Sequence, residues 1–131
     1  MTLEWRDEPV ARLATFNPAG VVDLVPITFA AVDDHTIVTA VDHKPKRTIR
    51  LQRLDNVRAH AQVTVLVDHY SDDWSTLWWV RIRGTAIVVD EPAADVVAPL
   101  VAKYHHYQDI RPAGPAIVIT IDQVRSWSAV P

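Results

Sequence analysis

The sequence predicts a mainly β, α+β chain in which six antiparallel strands form a closed or nearly closed barrel carrying two short helices. Three observations predict it. Runs of β-branched and apolar residues recur along the chain, punctuated by turn residues around positions 17–20, 33–35 and 68–73. Helical spacing interrupts this pattern in only two places, after Asp42 and after Glu91. The chain has 131 residues, enough to bury a core without staples, and no repeat, low-complexity stretch or linker divides it. Residues 1–131 therefore read as a single domain.

Residues 10–16 alternate apolar with polar positions and meet Asn17-Pro18-Ala19-Gly20, a strong turn signal. A second strand is expected over 22–32, and a third, rich in β-branched residues, over 36–41. Leu51, Leu54 and Val57 stand three apart, which predicts a helix from Lys46 to about His60. Residues 62–68 resume as a strand with Val63, Val65 and Val67 on one face. An acidic loop then leads into a long strand over 77–89, where Gly84 predicts a bulge or bend. Adjacent Trp78 and Trp79 in that strand must face opposite ways, so at most one enters the core. A second helix is expected from Glu91-Pro92 to about Tyr104, kinked or split by Pro99. A loop over 105–115 introduces the last strand, from 116 to about Trp127. A barrel this small fills its own interior, so a sizeable ligand would bind outside the wall or between subunits.

Composition narrows the function classes. The absence of cysteine excludes disulfides, thiolate nucleophiles and cysteine-held metal centres. A net charge of −3, from 13 basic and 16 acidic residues, argues against a nucleic-acid partner. The N-terminus lacks the layout of a signal peptide and no apolar run approaches a bilayer span, so a cytoplasmic protein without a membrane partner is expected. Neither His69 with Asp72 and Asp73 nor His105-His106 has a recognised ligand spacing, and no metal is expected. Ser71 and Ser75 lack the strand-turn-helix setting of a nucleophile elbow.

Charge is concentrated at one place: Lys44, Lys46, Arg47, Arg50 and Arg53 put five cations into ten residues. The plain reading is a solvated helix face. At about 100° per residue, however, Arg47 and Arg50 fall within roughly 40° of the direction set by Leu51, Leu54 and Val57. Arginine aimed inward is costly without an anion, and a helix N-terminus suits phosphate. Asp42 or Asp55 could neutralise part of this charge instead.

Several strings, in order, resemble the split β-barrel flavin and deazaflavin oxidoreductases typified by pyridoxamine 5′-phosphate oxidase. Ala11-Arg12-Leu13-Ala14-Thr15 looks like that family's first strand, and Val25-Pro26-Ile27-Thr28-Phe29 like its second. Asn56-Val57-Arg58-Ala59-His60-Ala61-Gln62-Val63-Thr64-Val65-Leu66-Val67 looks like its helix end and fourth strand. Ala40-Val41-Asp42-His43-Lys44-Pro45-Lys46-Arg47, Leu66-Val67-Asp68-His69-Tyr70, Trp78-Trp79-Val80-Arg81 and Trp127-Ser128-Ala129 are similar to an actinobacterial subgroup of probable users of the deazaflavin coenzyme F-420.

The resemblance implies an FMN-binding-protein-like split β-barrel, homodimeric, with the cofactor at the subunit interface. Carried over by position, Lys44, Lys46, Arg47 and Arg50 would hold the cofactor phosphate, with Arg53 a competitor. Pro26, Ile27 and Thr28 would flank the ring, beside Thr39, Ala40 and Val41. Trp78, Trp79 and Trp127 could wall the substrate pocket, although core or dimer packing is the commoner role of such residues. The implied activity is hydride transfer from coenzyme F-420 to a small electron-poor acceptor. No catalytic residue is assigned; Tyr70, His69 and Lys103 are candidate proton donors. Two alternatives stand beside it: an FMN-dependent enzyme on the same fold, and a non-catalytic flavin, deazaflavin or haem binder. A structural dimer with no cofactor is a third. The chain departs from the family in a longer segment between the third and fourth strands, and in having only about nine residues before Val10.

Overall fold

The computed structural model describes residues 4–41 and 51–130. Among these described residues seven strands form one antiparallel sheet: β1 (Ala11–Phe16), β2 (Val22–Ile27), β3 (Ala30–Ala31), β4 (Thr36–Ala40), β5 (Gln62–His69), β6 (Trp78–Val89) and β7 (Ala116–Ser128). Their spatial order is β2-β1-β5-β6-β7-β4-β3. The sheet curls as a half-barrel around one core, and α1 (Gln52–Ala59) plugs it with Leu54 and Val57. Alternation works as expected on β5, where Val63, Val65 and Val67 are all buried.

The strand count differs from the expected six because residues 22–32 make two strands. The break falls at Thr28 and Phe29. Phe29 turns fully into the core and stacks on Trp5, ring centroids 6.2 Å apart and planes 9° from parallel. Its N–H donates to Tyr104 Oη at 3.1 Å rather than to a neighbouring strand, while Thr28 Oγ1 and Tyr107 Oη share a hydrogen bond of 2.8 Å. Side-chain partners some 75 residues away thus interrupt an apolar run that would otherwise continue extended.

Helix boundaries also moved. Leu51 is extended (φ −97°, ψ 141°) and serves as the N-cap of α1, so a continuous helix from Lys46 is interrupted there. The angular argument that drew Arg47 and Arg50 onto the apolar stripe fails at that residue; both arginines lie outside the described residues, as do Lys44 and Lys46. The second helix, α2 (Ala94–Lys103), runs through Pro99 without being split. Tyr104 is extended, and α3 (His105–Asp109) occupies the first part of the expected 105–115 loop.

α2 and α3 cover the outer face of β3, β4 and the start of β7, where Val97, Leu100 and Tyr107 pack on Ala30, Val38, Ala40 and Ala116. A buried amide joins α1 to the β1–β2 hairpin. Asn56 Nδ2 donates to Thr15 Oγ1 (2.9 Å) and Asp23 Oδ2 (2.8 Å), and Asn56 Oδ1 accepts from Gln52 Nε2 (2.9 Å). Gly84 marks the expected bulge: Arg83 pairs with Gln123 but Gly84 pairs with Ile121, leaving Asp122 as the extra residue. A Cβ on Gly84 would lie 2.5 Å from Ile119 Cγ2 and 2.6 Å from the Thr120 carbonyl oxygen. Among the described residues no helix is long and apolar enough to cross a membrane.

Candidate functional site

The sheet has two ends, and the cleft lies between them. Among the described residues strand β2 pairs only with β1, while β4 pairs with β7 and the short β3, so the curled sheet leaves a seam between β2 and β4 there. The seam opens into a cleft of about 420 Å³ lined by Val10, Pro26, Ile27 and Thr28 from one edge, Thr39, Ala40 and Val41 from the other, and Leu51 and Arg53 from the start of α1. That volume is in the range of small-molecule sites. Proline suits such an edge because it has no N–H left to satisfy.

The floor is apolar and fixed. Ile27, Thr39, Ala40 and Val41 are buried. Val41 N–H donates to the Pro115 carbonyl at 2.9 Å, and Gly114 packs so closely beneath it that a Cβ there would meet Val41 Cβ at 2.8 Å. On the opposite edge Thr28 is held by Tyr107, and Tyr104 Oη, which accepts from Phe29 N–H, can donate to the Pro9 carbonyl at 2.9 Å. Lys103 Nζ donates to the Phe29 carbonyl at 2.9 Å and sits 3.6 Å from the Phe29 ring centroid. Burial pushes its ammonium down to about 8, with Asp7 and Glu8 opposing the shift.

Seven of the residues singled out from the sequence, Pro26, Ile27, Thr28, Thr39, Ala40, Val41 and Arg53, therefore share one cleft. The three tryptophans do not join it. Trp78 faces inward and stacks on His69, centroids 6.2 Å apart, whereas Trp79 and Trp127 are partners in the register on the outer face of the sheet. Nor do the candidate proton donors line the cleft: His69 lies 3.9 Å from Glu8, Tyr70 is exposed, and Lys103 is bound to the Phe29 carbonyl. Sequence reasoning missed Val10 and Leu51 in the cleft wall and Tyr107 behind Thr28. Val10 and Leu51 read as apolar residues of the first strand and of the first helix, with no ligand role; Tyr107 carried no signal. Among the described residues no three His, Asp or Glu side chains gather as a metal would require.

The family model for pyridoxamine 5′-phosphate oxidase matches residues 2–128, nearly the whole chain. The chain belongs to the pyridoxamine 5′-phosphate oxidase family. Solved structures agree on the fold. A conserved hypothetical protein of Mycobacterium tuberculosis superposes with a TM-score of 0.72 at 23% identity, covering 93% of this chain and 78% of that one. The haem storage protein HutZ of Vibrio cholerae gives 0.71 at 13% identity, covering 95% and 89%. An F420 reductase gives 0.68 at 21% identity, covering 92% and 93%. No curated protein sequence matches this chain. At these identities the oxidase-family fold is what the solved structures share with it.

An apolar floor with a cation at one end fits a planar ring carrying an anionic tail. Among the described residues Arg53 is the cation that lines the cleft together with Ile27, Thr28, Ala40 and Val41.

Proposed function

We propose that this chain is an oxidoreductase that binds coenzyme F-420 in the seam cleft and passes a hydride to a small electron-poor acceptor. One observation carries the reading: the residues that family resemblance assigns to the cofactor ring, from two segments distant in sequence, line a single cleft with Arg53. The similarity to an F420 reductase supports the choice of deazaflavin. When bound, the deazaflavin supplies the hydride. The chain's own residues orient the ring against the floor of Ile27 and Val41, exclude water from one of its faces, and bind the anionic tail through Arg53. The flanking cations Lys44, Lys46, Arg47 and Arg50 would extend that tail site. The working unit is a homodimer in the cytoplasm with the cofactor between subunits, so that a second copy covers the open side of the cleft.

A second reading, a haem or flavin binder without turnover, is favoured by the similarity to a haem storage protein. Equilibrium titration of the apo-protein with F-420, FMN and haemin, followed by tryptophan quenching, separates them. Preferred binding of F-420, weakened in Arg53→Ala, and reduction of an electron-poor acceptor by the loaded protein are expected. Preference for FMN would move the chain to the oxidase side, and tight haemin binding without any acceptor reduction would overturn the enzyme reading.

A further inference from the structure

The residues around the seam are held in place by different means. Ile27, Thr39 and Ala40 stand in strand ladders, and Val41 gives its N–H to Pro115. Among the described residues Thr28 belongs to no ladder, since it falls between β2 and β3 where the sheet edge breaks. Its hydroxyl is bound instead to Tyr107 Oη at 2.8 Å, and the N–H of the next residue, Phe29, is given to Tyr104 Oη at 3.1 Å. Both tyrosines come from the junction of α2 and α3. Tyr107 is 3% exposed, packs in one cluster with Val97 and Leu100, and meets the Tyr104 ring edge-on with centroids 5.5 Å apart. A phenol fixed this firmly sets where the hydroxyl of half-buried Thr28 can go, whereas a threonine without a partner would sample several staggered rotamers.

That hydrogen bond has a preferred sense. A phenol is a stronger acid than an aliphatic hydroxyl, so Tyr107 is the better donor and Thr28 the acceptor. Thr28 thereby keeps its own proton for the cleft it lines, and a hydroxyl that accepts one hydrogen bond donates the next more strongly. We propose that Tyr107 is a positioning residue that makes Thr28 a fixed donor toward the cofactor ring, selecting rings with a carbonyl oxygen or an unprotonated nitrogen at the edge. This selection rests on the cofactor reading of the seam. Tyr107 itself stands behind Thr28, outside the cleft lining, and acts through that one hydroxyl.

A double-mutant cycle, read by equilibrium titration of the full chain with F-420, tests it. Tyr107→Phe keeps the packed ring and removes the phenol oxygen; it should bind F-420 about fivefold more weakly than the parent, and so should Thr28→Val. The double variant should bind no more weakly than Thr28→Val alone, because no hydroxyl is left for Tyr107 to position. In the parent the NMR signal of Tyr107 Cζ should shift when F-420 binds, and in Thr28→Val it should stay. Parent-like binding in Tyr107→Phe would leave Tyr107 a packing residue and overturn the positioning role while the cofactor reading stands. Losses that multiply to about twenty-five-fold in the double variant would do the same, since independent effects multiply. If the parent itself takes up no F-420, the cofactor reading falls and the positioning role falls with it.

Discussion

Strand β7 is two different structures on either side of one bulge. From Ala116 to Thr120 it pairs on both edges, with β6 and β4, and buries Ile117 and Ile119 in the core. From Asp122 to Trp127 it pairs with β6 alone and every residue is exposed. Apolar content does not separate the halves, since the second holds Val124 and Trp127. Cover does: α1 and the sheet close over the inner face of the first half and α2 over its outer face, whereas among the described residues no helix joins a core cluster with the second. Stability resides in the first half, and the second is left to present side chains.

Substitutions can sharpen or break that contrast. Ile119→Ala, on the covered half, should lower the unfolding free energy by about 3–4 kcal/mol, read from the urea midpoint at unchanged slope. A loss under about 1 kcal/mol would mean that this half is not core. Gly84→Ala, at the bulge, pushes a methyl into Ile119 and the Thr120 carbonyl and should cost about 2–3 kcal/mol.

Lys103, at the end of the helix over the covered half, gives a smaller, pH-dependent effect. Its folded value of about 8 lies below the ordinary 10.5, so the unfolded chain holds the proton more firmly. Stability should therefore rise with pH between about 8 and 10.5, a rise missing in Lys103→Met, while NMR titration of its side chain should show a midpoint near 8. Smallest of all, Val124→Ala on the exposed half should change stability by less than about 0.5 kcal/mol; a loss comparable to Ile119→Ala in a concentration-dependent melt would show that a second copy covers it.

Much of this architecture was legible. The one-faced valines of β5, the bulge at Gly84 and the opposed directions of Trp78 and Trp79 follow from a period of two and from the missing Cβ. The cleft residues came through family resemblance, and only folding showed that residues 26–28 and 39–41 face each other across a seam. The break at Thr28 and Phe29 was invisible because Tyr104 and Tyr107 impose it from far along the chain. The short helix α3 was missed because His105-His106-Tyr107-Gln108-Asp109 has no apolar period; a single buried tyrosine anchors it.

The seam has a consequence for the chain's behaviour in a crowded solution. A barrel that stays open presents strand borders able to recruit foreign chains, and β2 adds to the danger with Val22 and Leu24 exposed at 52% and 64%. Pro26 cannot donate to an incoming strand, and the Val41 N–H on the facing border is already given to Pro115. The residues that keep the cleft open to a ligand thus also act as gatekeepers against aggregation, so replacing Pro26 with a β-branched residue trades solubility as well as pocket shape.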